Sequence, residues 1–340
     1  MPVSRRSLLL AGLSLPTLAA CSASSSSPAP AGSSSGAGFP VTVQHAYGST
    51  TVPAAPTRIV TAGVTEQDTV LALGVQPVGV TDWYGDQPSA VWPWARAALG
   101  DAEPTVLTTD DGFQFEKIAA LRPDLIIATN AGLGKDDYGK LSAIAPTVAH
   151  SGKYTKNFEP WDVQAVAAGT AMGRASEVAS LVSAVKNQFA AAARAHPEFA
   201  GKKIVFLQNA FYDGSAIAYQ NGLSTDFLTD LGFVVPSFLD AYAQGDEQAS
   251  IPLERLSVLD GADLLLWATE KPADRTALEQ NSLYRRLSAV RDSRLVFTDG
   301  VTAGAIYFTS LLSLPYVLQK LVPALATAAA GRGVGTTASA

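Results

Sequence analysis

Apolar residues fall along this chain in two rhythms. Short unbroken apolar runs read as strands buried on both faces: "RIVTAG" (58–63), "PVGVTD" (77–82), "PTVL" (104–107), "DLIIAT" (124–129) and "PTVAH" (146–150). Between them stand segments with helical spacing: "TEQDTVLALG" closed by Gly74, the short "WPWARAALG", residues 113–121, and "KDDYGKLSAI". Continuous strands alternating with helices predict a mostly parallel sheet covered on both faces.

Residues 160–197 break that rhythm and carry no strand signal. "WDVQAVAAGTAMG" reads as one helix ending at Gly173. "ASEVASLVSAVKNQFAAAARAH" reads as a second, with Ser176 as its cap, Glu177 in its first turn and Pro197 just beyond. Its length predicts a rod of about 33 Å, the span of a small domain. Strands and helices then resume with "KKIVFLQ", "SAIAYQ", the helix "STDFLTDLG", helices through "SLYRRLSAVR", the strand "RLVFT" (294–298) and a terminal helix from about Ala303. The fold class expected is α/β, two lobes joined by one long helix: an N-terminal lobe at 40–159, a helical linker at 160–198 and a C-terminal lobe at 199–330.

One unit occurs in both lobes. "FEKIAALRPDLIIAT" is echoed by "LERLSVLDGADLLLWAT" (253–269). Each copy has a Glu at its head, Glu116 and Glu254, and an Asp before its apolar run, Asp124 and Asp263. Packing of a helix on a sheet accounts for the Leu and Ile positions. It does not require the glutamates, although a Glu in a first turn also favours the helix dipole.

The ends follow different rules. Arg5 and Arg6, then "SLLLAGLSLPTLAA", form a short basic and apolar export signal over residues 1–20. "SRRSLLL" also has the two arginines of a twin-arginine signal. The signal stops at Cys21, the single cysteine of the chain. Residues 21–39 hold that Cys and a Ser/Ala/Gly-rich tether, of root-mean-square span roughly 20–25 Å. Residues 331–340, "GRGVGTTASA", read as a disordered tail.

Composition narrows the function. The body is 47% hydrophobic and 16% charged over the whole chain, so it can bury sizeable cores. A formal charge of −6, or −8 once Arg5 and Arg6 leave with the signal, argues against a nucleic-acid partner. With one cysteine, no thiol-based metal site can form. Outside the signal, the remaining long apolar stretch is broken by Pro315 and Pro323, which predicts a packed terminal helix in place of a membrane span. Catalytic motifs lack context. "GSSSG" sits in the tether without strand or helix, and "SAVK" (183–186) lies inside the Ala-rich linker helix, so no enzyme is expected.

The small residues before Cys21, "PTRIV…VTEQDTVLALGVQPVGVTDWYG", "EKIAALRPDLIIA", "LSAIAPTV", the linking helix and "NSLYRRLSAVRDSRLVFTDG" stand in one order. Together they resemble the ferric-siderophore and cobalamin type of substrate-binding lipoprotein that serves ABC importers, over about residues 40–325. The resemblance implies two Rossmann-like lobes facing across a ligand cleft, with a rigid interlobe helix and small closing movements. It implies that Cys21 carries lipid, palmitate included, and tethers the protein to the extracytoplasmic face of the cell membrane. It implies a monomer with no intrinsic cofactor, which carries a small ferric complex to a permease dimer and its ATPase. By the same resemblance, Glu116 and Glu254 meet arginines of the permease.

Ligands of open α/β sheets lie beyond the carboxyl ends of strands. The residues expected at the cleft are therefore Thr65 and Glu66, Trp83 and Tyr84, then Trp92, Trp94, Arg96 and Asn130. From the second lobe come Phe211, Tyr212, Tyr219, Gln220, Trp267, Thr269 and Glu270, and the resemblance implies that Tyr307 and Phe308 stand where the family's last loop meets the cleft. An aromatic cleft suits a ferric hydroxamate or the flat face of haem. It is poorly suited to a bare metal ion, since His45, His150 and His196 do not cluster in this reading. Cations near the cleft are few, with Arg96, Arg58, Lys153 and Lys156 as candidates. A hydroxamate-like or mixed siderophore is thus favoured over a triscatecholate. The alternative is haem or a corrinoid, with Tyr84, Tyr212 or Tyr307 as iron ligand.

Overall fold

The computed structural model describes residues 38–154, 158–245 and 247–337. The expected signal peptide, Cys21, most of the tether, Lys156 and residues 338–340 lie outside the described residues.

The chain begins with a hairpin that the sequence reading passed over, β1 (Val41–His45) and β2 (Gly48–Val52). The first lobe then follows: β3 (Ile59–Thr61), α1 (Glu66–Ala72), β4 (Gly79–Thr81), α2 (Arg96–Leu99), β5 (Thr105–Leu107), α3 (Phe115–Ala120), β6 (Leu125–Ala128), α4 (Lys135–Ser142) and β7 (Thr147–Ala149). Its five strands pair in the order β5-β4-β3-β6-β7, every pair parallel. This is the sheet that the unalternating apolar runs predict.

Two helices link the lobes, α5 (Trp161–Ala171) and α6 (Ala175–Ala195). On α6 the buried residues are Val178, Val182, Val185 and Phe189, spaced four, three and four apart, so one stripe faces inward. Ser176 is not the cap. Arg174 stands at that position and bonds Glu177 at 2.8 and 2.9 Å, which fixes the helix start electrostatically.

The second lobe comprises β8 (Ile204–Tyr212), β9 (Ser215–Tyr219), α7 (Asp226–Thr229), β10 (Ala249–Pro252), β11 (Leu264–Ala268), α8 (Pro272–Gln280), α9 (Ser288–Arg291), β12 (Leu295–Phe297), α10 (Gly300–Tyr307), α11 (Ser313–Ala329) and β13 (Gly335–Thr336). The order is β10-β9-β8-β11-β12-β13. Here the expected parallel rule holds for only half the sheet. β8 and β9 form an antiparallel hairpin, because Asp213 and Gly214 both take positive φ and turn the chain straight back, and β10, which returns after α7, pairs antiparallel with β9. The expected terminal helix is also two helices, α10 and α11, separated at residues 308–312. No helix among the described residues is long and apolar enough to cross a membrane. Residues 331–337 of the expected disordered tail are ordered. Gly335 and Thr336 extend the sheet at β12, and Thr337 Oγ1 donates to Asp299 Oδ2 at 2.7 Å, so the open strand edge and the start of α10 hold the tail.

Strand parity sorts the core. Leu125 and Ile127 of β6, and Leu264 and Leu266 of β11, point into one apolar cluster with α5, α6, α10 and α11. The alternate residues, Ile126 and Leu265 among them, face separate outer clusters. The two lobes therefore share a single core across the linker helices.

Candidate functional site

The loops after β3, β4, β5 and β6 open onto one cavity of about 330 Å³, lined by Gly63, Trp83, Phe113, Asn130 and Phe308 among others. A second, of about 380 Å³, shares Trp83 and Phe308 with it and adds Tyr84, Phe158, Tyr219, Tyr307 and Glu270. A third, of about 580 Å³, shares Gln208 and Gln248 with the second and reaches Phe211 and Tyr212. The three make one cleft at the strand ends, with walls from both lobes. Its volumes lie in the range of small-molecule sites.

Aromatic side chains build its middle. Trp83 meets Tyr84 edge-on at 4.2 Å and Phe308 at 4.6 Å between ring centroids. Tyr307 lies 6.0 Å from Tyr84 and 6.2 Å from Tyr219, which in turn stacks on Phe206 at 4.2 Å. The Tyr307 hydroxyl donates to Ala268 O at 2.8 Å and lies 3.2 Å from Glu270 Oε1. Burial, and the charge of Glu270, push the Tyr307 and Tyr84 hydroxyls far above the usual tyrosine range. Burial also raises the Glu270 carboxyl. On the floor of the third cavity β8 bulges at Asn209, whose φ is 51°; this re-aims the strand beside the cleft.

Several expected site residues lie elsewhere. Trp267 is fully buried on the outer face of β11, packed against Phe211 and Tyr284, because strand parity turns it from the shared core. Trp92 and Trp94 stack on each other at 5.0 Å and join the lobes instead of lining the cleft. A Cβ on Gly304 of α10 would stand 2.5 Å from Cη2 of Trp92, so that contact requires glycine. Trp94 Nε1 donates to Asp68 Oδ2 at 2.7 Å, and Ser310 Oγ donates to the same oxygen from the other lobe. Burial lifts the Asp68 carboxyl to about 6 against these two bonds.

Thr65, Glu66 and Asn130 form a buried network within the first lobe. Glu66 Oε1 accepts from Asn130 N at 2.7 Å, and Thr65 Oγ1 donates to Gln164 of α5 at 3.1 Å. Of the three, Asn130 also borders the cleft.

The expected cations stay away. Arg96 donates to Gln87 and Val91 O, and Arg58 donates to Leu121 O and Arg122 O at the opposite end of β3. Lys153 is exposed and outside the three cavities. His45 and His150, read as separate, come together on either side of Tyr47, at 6.5 and 5.6 Å between ring centroids. Burial, then His150, lowers the His45 pKa. Neither lines the cleft, and no group of three His, Cys, Asp or Glu suited to a metal occurs among the described residues.

Phe158, Gln208 and Gln248 are cleft residues that the expected site omitted. Glu270 directly follows β11 and was legible by the strand-end rule. Gln248 precedes β10, a short edge strand whose pairing with β9 is made some thirty residues further along the chain.

Comparison with known proteins places this architecture. A periplasmic solute binding protein from Mycobacterium smegmatis superposes with a TM-score of 0.80 at 46% identity, covering 85% of this chain and 98% of that one. Streptococcus pneumoniae PiaA, solved in complex with ferrichrome, gives 0.72 at 25% identity, over 86% of this chain and 99% of that one. The iron(3+)-hydroxamate-binding protein FhuD of Bacillus subtilis is 27% identical, over 92% of this chain and 95% of its own length. The family model for periplasmic binding proteins matches residues 59–302, and with two α/β lobes around one cleft the chain belongs to that family.

Proposed function

We propose that the protein is an extracytoplasmic receptor that binds a ferric siderophore in the interlobe cleft and delivers it to an ABC permease for iron uptake. The observation that carries this reading is the cleft itself. Both lobes contribute aromatic rings around a cavity that holds no metal-ligand cluster among the described residues, which suits a preformed iron chelate better than a bare ion. The chelate is hydroxamate-like or mixed. Trp83, Tyr84, Phe158, Tyr219, Tyr307 and Phe308 touch it. Cys21 carries the lipid anchor, and Glu116 and Glu254 dock on the permease. Both glutamates are exposed and neither carboxylate is paired among the described residues, as a docking role requires.

Haem gains no comparable support. The Tyr307 proton is donated to Ala268 O, Tyr212 stands 71% exposed at the rim, and burial with the charge of Glu270 disfavours the Tyr84 phenolate that would bind iron.

Titration of the purified protein with ferric trihydroxamates, followed by tryptophan fluorescence, tests the reading. Quenching through Trp83 at micromolar ligand is expected. Absence of a response to hydroxamate, mixed and citrate chelates alike would overturn it.

A further inference from the structure

The charge of the cleft says more than its shape. Its three cavities are lined by aromatic rings, amides and two carboxylates, Glu270 and Asp274, and no Lys or Arg lines them among the described residues. Asp274 is already engaged, since its Oδ2 accepts from the backbone N–H of Glu270 and of Lys271 at 2.9 Å each. Those bonds hold Glu270 in place from behind. Among the described residues its side chain has one partner, the Tyr307 hydroxyl at 3.2 Å, which it shares with Ala268 O at the shorter 2.8 Å. The Glu270 carboxylate thus faces the cavity with acceptor capacity unused. Nearby, the Tyr84 hydroxyl is buried with no hydrogen-bond partner.

We infer that the interlobe cavity holds a cationic arm of its ligand, a protonated amine carried by the ferric chelate, with Glu270 as its counter-ion and the rings of Trp83, Tyr84 and Phe308 around it. This rests on the ferric-chelate reading above and names the charge class within it. The physical logic is that of aromatic boxes that receive ammonium groups, where ring quadrupoles and one carboxylate replace the water the cation loses. The Gln248 amide oxygen supplies a further acceptor for its N–H groups, whereas Gln208 Oε1 already accepts from Tyr219 and Gln248. Burial raises the Glu270 carboxyl; the Tyr307 hydrogen bond opposes that, Asp274 adds to it and Lys271 opposes it. An anionic chelate meets the reverse situation, a like charge in a cavity that no Lys or Arg lines among the described residues.

The test uses one chelate in two charge states: a linear ferric trihydroxamate with a free terminal amine, and the same molecule N-acetylated. The mature protein is titrated with each at neutral pH, with ferric dicitrate as the anionic comparison. The amine form is expected to bind about tenfold or more tighter than the acetylated form, and the dicitrate weakest. In Glu270→Gln the ratio between the two hydroxamates is expected to fall to about one. The wild-type ratio needs no variant, so a folding defect in Glu270→Gln leaves it readable. Equal binding of the two forms, a ratio that survives Glu270→Gln, or tighter binding of dicitrate would overturn the charge assignment while leaving the ferric-chelate receptor intact. Failure of all three chelates to bind would overturn both.

Discussion

The repeated unit of the two lobes has one shared duty and one divergent shape. In the first lobe, Asp124 accepts from Thr57 N and Arg58 N at 2.8 Å and from Thr57 Oγ1 at 2.9 Å. In the second, Asp263 accepts from Lys203 N at 2.7 Å. The backbone repeats the pairing, Asp124 N to Arg58 O and Asp263 N to Lys203 O. Each Asp therefore clamps the residues that lead into the central strand, β3 or β8. The segment before the Asp differs. The first lobe uses the α-helix α3, whereas the second uses a 3₁₀ segment, Leu253–Gly261. A 3₁₀ turn rises about 2.0 Å per residue against 1.5 Å, and Glu254 lies nine residues from its Asp where Glu116 lies eight. The repeat thus preserves the strand clamp strictly and lets the glutamates sit differently on the two lobes. If they dock on a permease, the two contacts are not equivalent.

The strongest way to break the comparison is to remove both glutamates. Glu116→Ala with Glu254→Ala is expected to abolish iron-chelate uptake in cells, while calorimetry on the purified protein finds the ligand affinity unchanged. The single variants then sharpen the comparison. Unequal uptake defects are expected from the unequal geometry, and normal uptake by the double variant removes the docking role.

Next in size is the joint between the lobes. Asp68 holds its proton more tightly folded than unfolded, with its carboxyl raised from 3.8 to about 6 by burial. As pH rises through that window the folded state loses a proton it favours, so stability falls and then levels off above it. The loss is on the order of 3 kcal/mol between about pH 4 and pH 7. Denaturant melts across that range are expected to show this slope in the wild type and a flatter one in Asp68→Asn. An identical slope in the variant would assign it to another group.

The clamps come last. Asp124→Ala loses three hydrogen bonds and is expected to cost about 2–3 kcal/mol, whereas Asp263→Ala loses one and costs about 1 kcal/mol. Urea midpoints measure both, and equal losses would mean that the clamps are not graded by their bonds.

Much of the fold is legible in one dimension because strand burial and helix spacing are local. "DLIIAT" and "DLLLWAT" became β6 and β11, and the apolar stripe of α6 is visible in its spacing. What escaped depends on distant partners. Trp92 seemed a cleft residue because its loop is near the strand ends, yet Gly304, far along the chain, claims it. Trp267 ends a strand, but parity sends it outward. The tail offers one large apolar residue, Val334, which packs against the outer cluster of the second lobe; the open edge of β12 and Asp299 hold the rest. His45 and His150 meet only because the unread hairpin β1–β2 brings Tyr47 between them. Within the cleft, Trp83, Tyr84 and Tyr219 were foreseeable from strand ends and Tyr307 and Phe308 from the family resemblance, whereas Gln248 precedes a strand, β10, that carried no read signal.

The apolar cluster that runs from Ile59 and Leu125 through α5 and α6 to Ile204 and Phe206 has a thermodynamic consequence. Neither lobe can melt without stripping the linker helices that also cover the other. Heating should therefore yield one calorimetric transition, with calorimetric and van't Hoff enthalpies in agreement. A ligand bound between the lobes raises that one melting temperature as a whole, so thermal shift reports occupancy of the cleft through the entire molecule.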